Sequence, residues 1–250
     1  QAQLMYRYFR DHGYACASIN YRLAQEAAFP AGVEDVKSAI RFLRANAEKY
    51  GYDPERFAIW GESAGGYLSV ICGASNDEEF NSVPFIGEDE NNPVSSEVQV
   101  ILNYYGCMEF GTQAADYKEL KIPKVVQWAS GLWLTDAIKD TGYNDVESYW
   151  MRKDVNTLTQ EEKDTYSPLY YIQKNLTPEN SPSVLIWHGD ADLSVPYLQS
   201  ERLNELLTEQ IGADKVEYKL FHNYKHAADQ LYSDENLGTL KEYLDTKLAK

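Results

Sequence analysis

Cationic side chains are scarce in this chain of 250 residues: 23 Lys and Arg stand against 39 Asp and Glu, a formal net charge of −16. Phosphate backbones and anionic lipid surfaces reward positive patches, so neither nucleic acid nor an anionic membrane is expected as a partner. Neutral or cationic substrates fit better. No apolar run approaches the roughly 20 residues of a membrane span, and no signal-like start is visible. A soluble protein is expected, with the choice between cytoplasm and secretion left open. Cysteine is also sparse. Cys16, Cys72 and Cys107 are odd in number and lack paired spacing, which argues against a disulfide framework and for buried thiols. With no Cys-x-x-Cys, no His-Glu-x-x-His and no phosphate loop, metal and nucleotide chemistry find no support, and no cofactor is expected.

What is present is a regular alternation of strand-like and helix-like segments, which indicates a mainly parallel sheet with helices on both faces. Expected strands cover residues 14–19, 57–60, 98–104, 183–188 and 216–221. An expected helix over 33–50 carries Val33, Val36, Ile40, Leu43 and Ala47 at three-and-four spacing, a single apolar stripe for packing on a sheet. Leu203, Leu206 and Leu207 repeat the pattern in a helix over 197–211, and Leu237, Leu240, Leu244 and Leu248 in the last one. Two stretches break the rhythm: 76–93, acidic and ending in Asn91-Asn92-Pro93, reads as a surface loop, and 107–166 as a longer insert. No internal repeat is apparent, and the length suits one large α/β domain over 1–250.

The densest chemical signal is Gly61-Glu62-Ser63-Ala64-Gly65, a Gly-x-Ser-x-Gly nucleophile elbow between the strand-like Arg56-Phe57-Ala58-Ile59-Trp60 and a helix start at Gly66. A turn this sharp holds the serine in a strained conformation, and only small neighbours let the backbones approach. The helix N-terminus then aims free N–H groups at the site, and the Ala64 N–H can stabilise an oxyanion.

A serine hydroxyl needs a base and an orienting acid. Only four histidines exist. His12 lies upstream at a helix end, and His188 closes an apolar strand. His222 closes the strand 216–221, while His226 lies in the loop beyond it, before small Ala227 and Ala228, where a base is best placed. His226 is therefore the candidate base, with His222 the alternative. For the acid, His188-Gly189-Asp190-Ala191-Asp192 offers two aspartates past a buried strand. Asp190 follows the strand directly and suits a turn-bracing role. Asp192 stands further out and is preferred by a modest margin.

At this point the chain resembles the esterase/lipase group of α/β-hydrolases, in the branch related to bacterial feruloyl esterases and hormone-sensitive lipase. Tyr21-Arg22-Leu23, Phe29-Pro30, Asp35, Tyr50-Gly51-Tyr52-Asp53-Pro54-Glu55-Arg56 and Trp60 to Gly66 carry the resemblance. The run His188 to Pro196 is similar to that family's acid loop, His-Gly-x-x-Asp-x-x-Val-Pro, which implies Asp192 as the acid. The order Ser63, Asp192, His226 is the one such hydrolases use. The resemblance runs from about Leu4 to Leu244 and is weak over 107–166.

The family's His-Gly-Gly motif, which supplies the second half of the oxyanion hole, does not occur here. The sequence opens on Gln1 with a helix-like segment, so residues upstream of it are expected to supply that motif and a strand between 14–19 and 57–60. A gap between those two segments is the expected trace. Resemblance also implies that 107–166 forms a cap over the site, with Glu62, Trp128, Trp133 and Trp150 as candidate substrate-binding residues. The expected activity is hydrolysis of carboxylic esters through a serine acyl-enzyme, on small-molecule or carbohydrate-linked esters with short-chain or aryl (acetyl, feruloyl) acyl groups. A prolyl-oligopeptidase-type peptidase and a catalytically silent hydrolase-fold binding protein are the rivals.

Overall fold

The computed structural model describes residues 2–89, 91–123, 142, 143 and 145–249. Among these, four strands form one sheet in the order β1 (Ala58–Glu62), β2 (Val100–Tyr104), β3 (Ser183–Gly189), β4 (Val216–Phe221), all parallel. Both faces of the sheet are covered, which is why its central strands read as continuous apolar runs with no alternation. Cross-strand rows make the two faces explicit. Ile59, Ile101, Val184 and Val216 lie in register on one face, and Trp60, Leu102 and Leu185 on the other.

On the first face pack α2 (Ala31–Ala45), α4 (Ala64–Ala74), α8 (Pro168–Asn175) and α9 (Leu198–Ile211), burying Val33, Val36, Ile40, Ile71, Ile172, Leu203 and Leu207 against Ile101, Val184 and Ile186. The second face carries α1 (Ala2–Asp11) and α10 (Asp234–Lys247), whose Met5, Phe9, Leu237, Leu240 and Leu244 meet Val100, Leu102, Tyr104, Leu185 and Trp187. Shorter helices are α3 (Ala47–Tyr50), α5 (Gln113–Glu119), α6 (Val146–Met151) and α7 (Gln160–Asp164). The α2 stripe matches the expected spacing, but the helix does not run on to Tyr50. It breaks at Asn46, whose side chain donates to the Phe42 carbonyl at 2.8 Å, and the chain resumes as α3 before Gly51 ends it at φ +78°.

Residues 14–19 depart from expectation. They form no strand and join no ladder, and residues 15–18 are exposed. Strands need a hydrogen-bonding neighbour, and β1 pairs only with β2 among the described residues. Segments 14–19 and 57–60 instead both line one open groove of about 970 Å3. The two segments do not pair directly, and this groove is lined by both of them. Cys16 is exposed on this segment, contrary to the expectation of three buried thiols, while Cys72 and Cys107 are buried.

Within 107–166, Glu147 on α6 is a buried carboxyl. Burial, reinforced by Asp145 and Asp116, pushes it up to about 7, although the Gly111 N–H donates to it at 2.6 Å. A carboxyl raised in the folded state holds its proton more tightly than in the unfolded chain. The penalty tied to its ionisation is therefore absent below the ordinary 4.5, and stability falls as pH rises from there through 7. Glu147→Gln should match the parent Tm at pH 5 and exceed it by about 5 °C at pH 8. Equal differences at the two pH values would show that the carboxyl does not titrate this way.

Candidate active site

Ser63 sits between β1 and α4 at φ 54°, ψ −116°, a conformation that side-chain-bearing residues adopt only under constraint. The constraint is visible. Its N–H donates to the Tyr104 carbonyl at 2.9 Å, and its own carbonyl accepts the Tyr67 N–H at 3.0 Å, opening the helix. A Cβ on Gly61 would come within 2.0 Å of the Gly65 carbonyl oxygen, and one on Gly66 within 2.6 Å of Asn103 Oδ1. Those two glycines let strand and helix close on each other and leave the serine at the tip. Ala64 begins α4, so its N–H is among those without an intrahelical acceptor.

Two loops from later in the chain converge on this tip. His226 Nε2 lies 3.1 Å from Ser63 Oγ, and His226 Nδ1 lies 2.7 Å from Asp192 Oδ2. A carboxylate only accepts, so Nδ1 carries the proton and Nε2 is left to receive the serine's. Asp192 is 1% exposed, and its other oxygen accepts the Ser194 and Val195 N–H groups at 2.8 and 2.9 Å. Burial would raise its pKa. Hydrogen bonds and charge from His188 and His226 outweigh that and hold the carboxyl well below the usual carboxylate range.

The alternatives for base and acid pair with each other instead. His222 Nδ1 meets Asp190 Oδ2 at 2.7 Å on the surface, and the Asn223 N–H donates to Asp190 Oδ1 at 2.7 Å, so this pair braces the turn after β4. The same turn docks the two loops that matter. The Asp190 N–H donates to the Phe221 carbonyl, the Ala191 N–H to the Tyr224 carbonyl, and a Cβ on Gly189 would strike that Tyr224 oxygen at 2.1 Å.

His188 has a larger part than a strand-end residue. Wholly buried, it places Nε2 3.0 Å from the Val195 carbonyl and 3.3 Å from Asp192 Oδ2, with Nδ1 2.7 Å from Ser200 Oγ. Facing a carbonyl, Nε2 must carry a proton, so it directs an N–H toward the acid's loop. Its place four residues before Asp192 marked the acid loop in the sequence, but not the contact that His188 makes with the acid.

Beside the nucleophile lies a pocket of about 120 Å3 whose wall includes Ala64, Phe29, Tyr67, Phe110, Trp150 and Tyr166. Trp150 is the one candidate tryptophan among the described residues, and its ring packs on Tyr67 and Phe110. Trp128 and Trp133 lie outside them. Glu62 is not in this wall; its carboxylate accepts hydrogen bonds from Tyr105 and Tyr232. Tyr67 went unnoticed in the sequence, although it stands one helical turn after Ser63 and so on the same side of α4.

Among the described residues no three His, Cys, Asp or Glu side chains converge as a metal-holding group, and no helix is long and apolar enough to cross a membrane. Esterase LipQ of Mycobacterium tuberculosis is 28% identical over 217 residues, 87% of this chain and 43% of LipQ, so the chain spans less than half of that curated relative. Two solved structures share the fold at 23% identity. One, a truncated form of a carbohydrate esterase from gut microbiota, gives a TM-score of 0.69 over 93% of this chain and 74% of its own. The other, a bifunctional GH43-CE protein of Bacteroides eggerthii, gives 0.74 over 99% of this chain and 29% of its own. The profile of the family described as BD-FAE matches residues 1–207. With that match and the α/β-hydrolase architecture around it, the chain belongs to the BD-FAE family of α/β-hydrolase esterases and lipases.

Proposed function

We propose that this chain hydrolyses carboxylic esters through an acyl-enzyme on Ser63, with short acyl groups or single aromatic acyl groups carried on small molecules or carbohydrate as its substrates. The observation that carries the reading is the continuous hydrogen-bond chain Ser63–His226–Asp192 at the head of α4. Ser63 Oγ attacks the acyl carbonyl as His226 Nε2 takes its proton, and Asp192 holds the imidazole and balances the imidazolium. The oxyanion that forms accepts the Ala64 N–H. Collapse expels the alcohol, protonated by His226. Water then enters, gives its proton to His226, and releases the acid and the free serine.

The pocket beside Ala64 supports the acyl size. An apolar cavity of about 150 Å3 accommodates benzene, and this one, about 120 Å3 with aromatic and aliphatic side chains in its wall, is of a size for a short acyl group and is open for a ring to enter in part. Phe110, Trp150 and Tyr166 come from the insert 107–166, which supports a cap role for that segment. The names of the structural relatives, one a carbohydrate esterase, favour carbohydrate as the alcohol side.

The test is a series of p-nitrophenyl esters from acetate to decanoate. Wild-type kcat/KM should be highest for two to four carbons and fall at least tenfold by eight. Trp150→Ala, which opens the wall, should move the optimum to longer chains with the acetate rate lowered. A wild-type enzyme equally fast on acetate and decanoate would sink the short-acyl assignment, and no turnover of any ester would sink the hydrolase reading.

A further inference from the structure

Resting on that reading, the cluster behind the base points to one more group that governs it. Tyr105 directly follows β2, is 1% exposed, and has φ +42°, an unfavourable conformation for a residue with a side chain. Its N–H is tied to the Trp187 carbonyl at 3.0 Å. Held this way, its ring meets the His226 ring edge-on, centroids 4.8 Å apart and planes at 63°. The hydroxyl donates to Glu62 Oε2 at 2.5 Å, and the Tyr232 hydroxyl donates to the same oxygen at 2.5 Å. Burial, and then the bond to Glu62, push the Tyr105 hydroxyl above its ordinary range, so it remains a donor.

We propose that Glu62, the residue immediately before the nucleophile, is a positioning residue for His226: it acts through the Tyr105 ring, fixing the tilt of the imidazole. Packing alone would need only an aromatic ring at position 105. The hydroxyl, the carboxylate it meets and the second tyrosine on that carboxylate add something packing does not require. The hydrogen bond from the phenol to the carboxylate fixes where that ring stands, and the ring in turn bounds the imidazole through its aromatic contact with Tyr105.

The other groups around His226 are accounted for. Ser63 and Asp192 hold its two nitrogens. His188 touches Asp192 and also lies against Tyr105, centroids 6.2 Å apart. Tyr232 stands behind Glu62, and the Asp190–His222 pair is engaged with itself on the preceding turn. Glu62 is the charge that reaches the imidazole through a ring.

The experiment measures kcat and KM on p-nitrophenyl acetate for Glu62→Gln, Tyr105→Phe, Tyr232→Phe and the double variant Glu62→Gln/Tyr105→Phe. Both single changes at 62 and 105 should lower kcat about 10- to 50-fold with KM within twofold, and Tyr232→Phe should lower it less. The double variant should be no worse than the poorer single one, because both changes cut the same link. Multiplied losses or a loss confined to KM would overturn the proposal. Unaltered thermal unfolding in Tyr105→Phe, which keeps the ring, separates positioning from collapse of the fold. The downfield proton NMR signal of His226 Nδ1–H gives a readout without substrate. Its displacement in Tyr105→Phe at fixed pH supports the link even if no ester is turned over, and an unmoved signal overturns it even if esters are hydrolysed.

Discussion

Ser63→Ala should lower kcat on p-nitrophenyl acetate by about 10^5- to 10^6-fold while leaving KM and the unfolding temperature nearly unchanged. The size of the loss follows from what disappears: no acyl-enzyme can form, and His226 is left without the proton it is placed to accept. The constancy of KM follows from what stays, since the aromatic pocket beside Ala64 is untouched. Folding is spared because alanine at φ 54° meets the same backbone penalty as serine, and the bond from residue 63 N–H to the Tyr104 carbonyl survives. Intact-mass measurement after treatment with a fluorophosphonate checks the same point from another side: one adduct on the parent enzyme, none on Ser63→Ala. A variant retaining a tenth of the parent rate would end the assignment of Ser63 as nucleophile.

The second large effect is at the acid. Asp192→Asn should cut kcat by about 10^4-fold, because an amide can present its NH2 to Nδ1 and so hold the imidazole in the wrong tautomer. Asp190→Asn and His222→Ala, which break the surface pair, should each stay within about threefold of the parent, since exposed ion pairs contribute little. The reverse ranking would exchange the roles of the two aspartates. Asp192 also predicts a direction with pH. A carboxyl whose folded pKa is depressed adds stability that is complete above its unfolded value of 3.8 and is lost as pH falls through the lower folded value. The parent should therefore lose more Tm than Asp192→Asn on acidification below about pH 4.

The parts of this molecule that were legible in the sequence are those encoded within a few residues. Gly61 to Gly65 names the elbow because the close approach of β1 and α4 admits no Cβ at Gly61. The spacing His188 to Pro196 marks the acid loop, and the loop position of His226 sets it apart from His222. The central strands and the α2, α9 and α10 stripes follow from burial on one or two faces. What was not legible depends on partners distant in sequence. Residues 14–19 have strand-like composition, yet a strand requires a ladder neighbour, and β1 does not supply one. Cys16 shares their exposure for that reason. The break in α2 comes from one side-chain amide, and apolar periodicity is blind to it. Glu62 was expected to face substrate; it turns instead to two tyrosines, 43 and 170 residues away, which no local pattern reveals.

The strand order has a consequence in time. Each described strand after the first adds to the outer edge of the one before it, so the sheet can grow in the order in which the chain is synthesised. Ser63 follows the first of these strands, Asp192 the third and His226 the fourth, 163 residues after the nucleophile. At about 5–20 residues per second, the ribosome delivers the base some 10–30 s after the serine. Throughout that interval the elbow can be folded and exposed while its hydroxyl remains as unreactive as any other alcohol. On the proposed mechanism the nascent polypeptide is chemically mute until β4 docks, and the first turnover would double as a report that translation has passed β4.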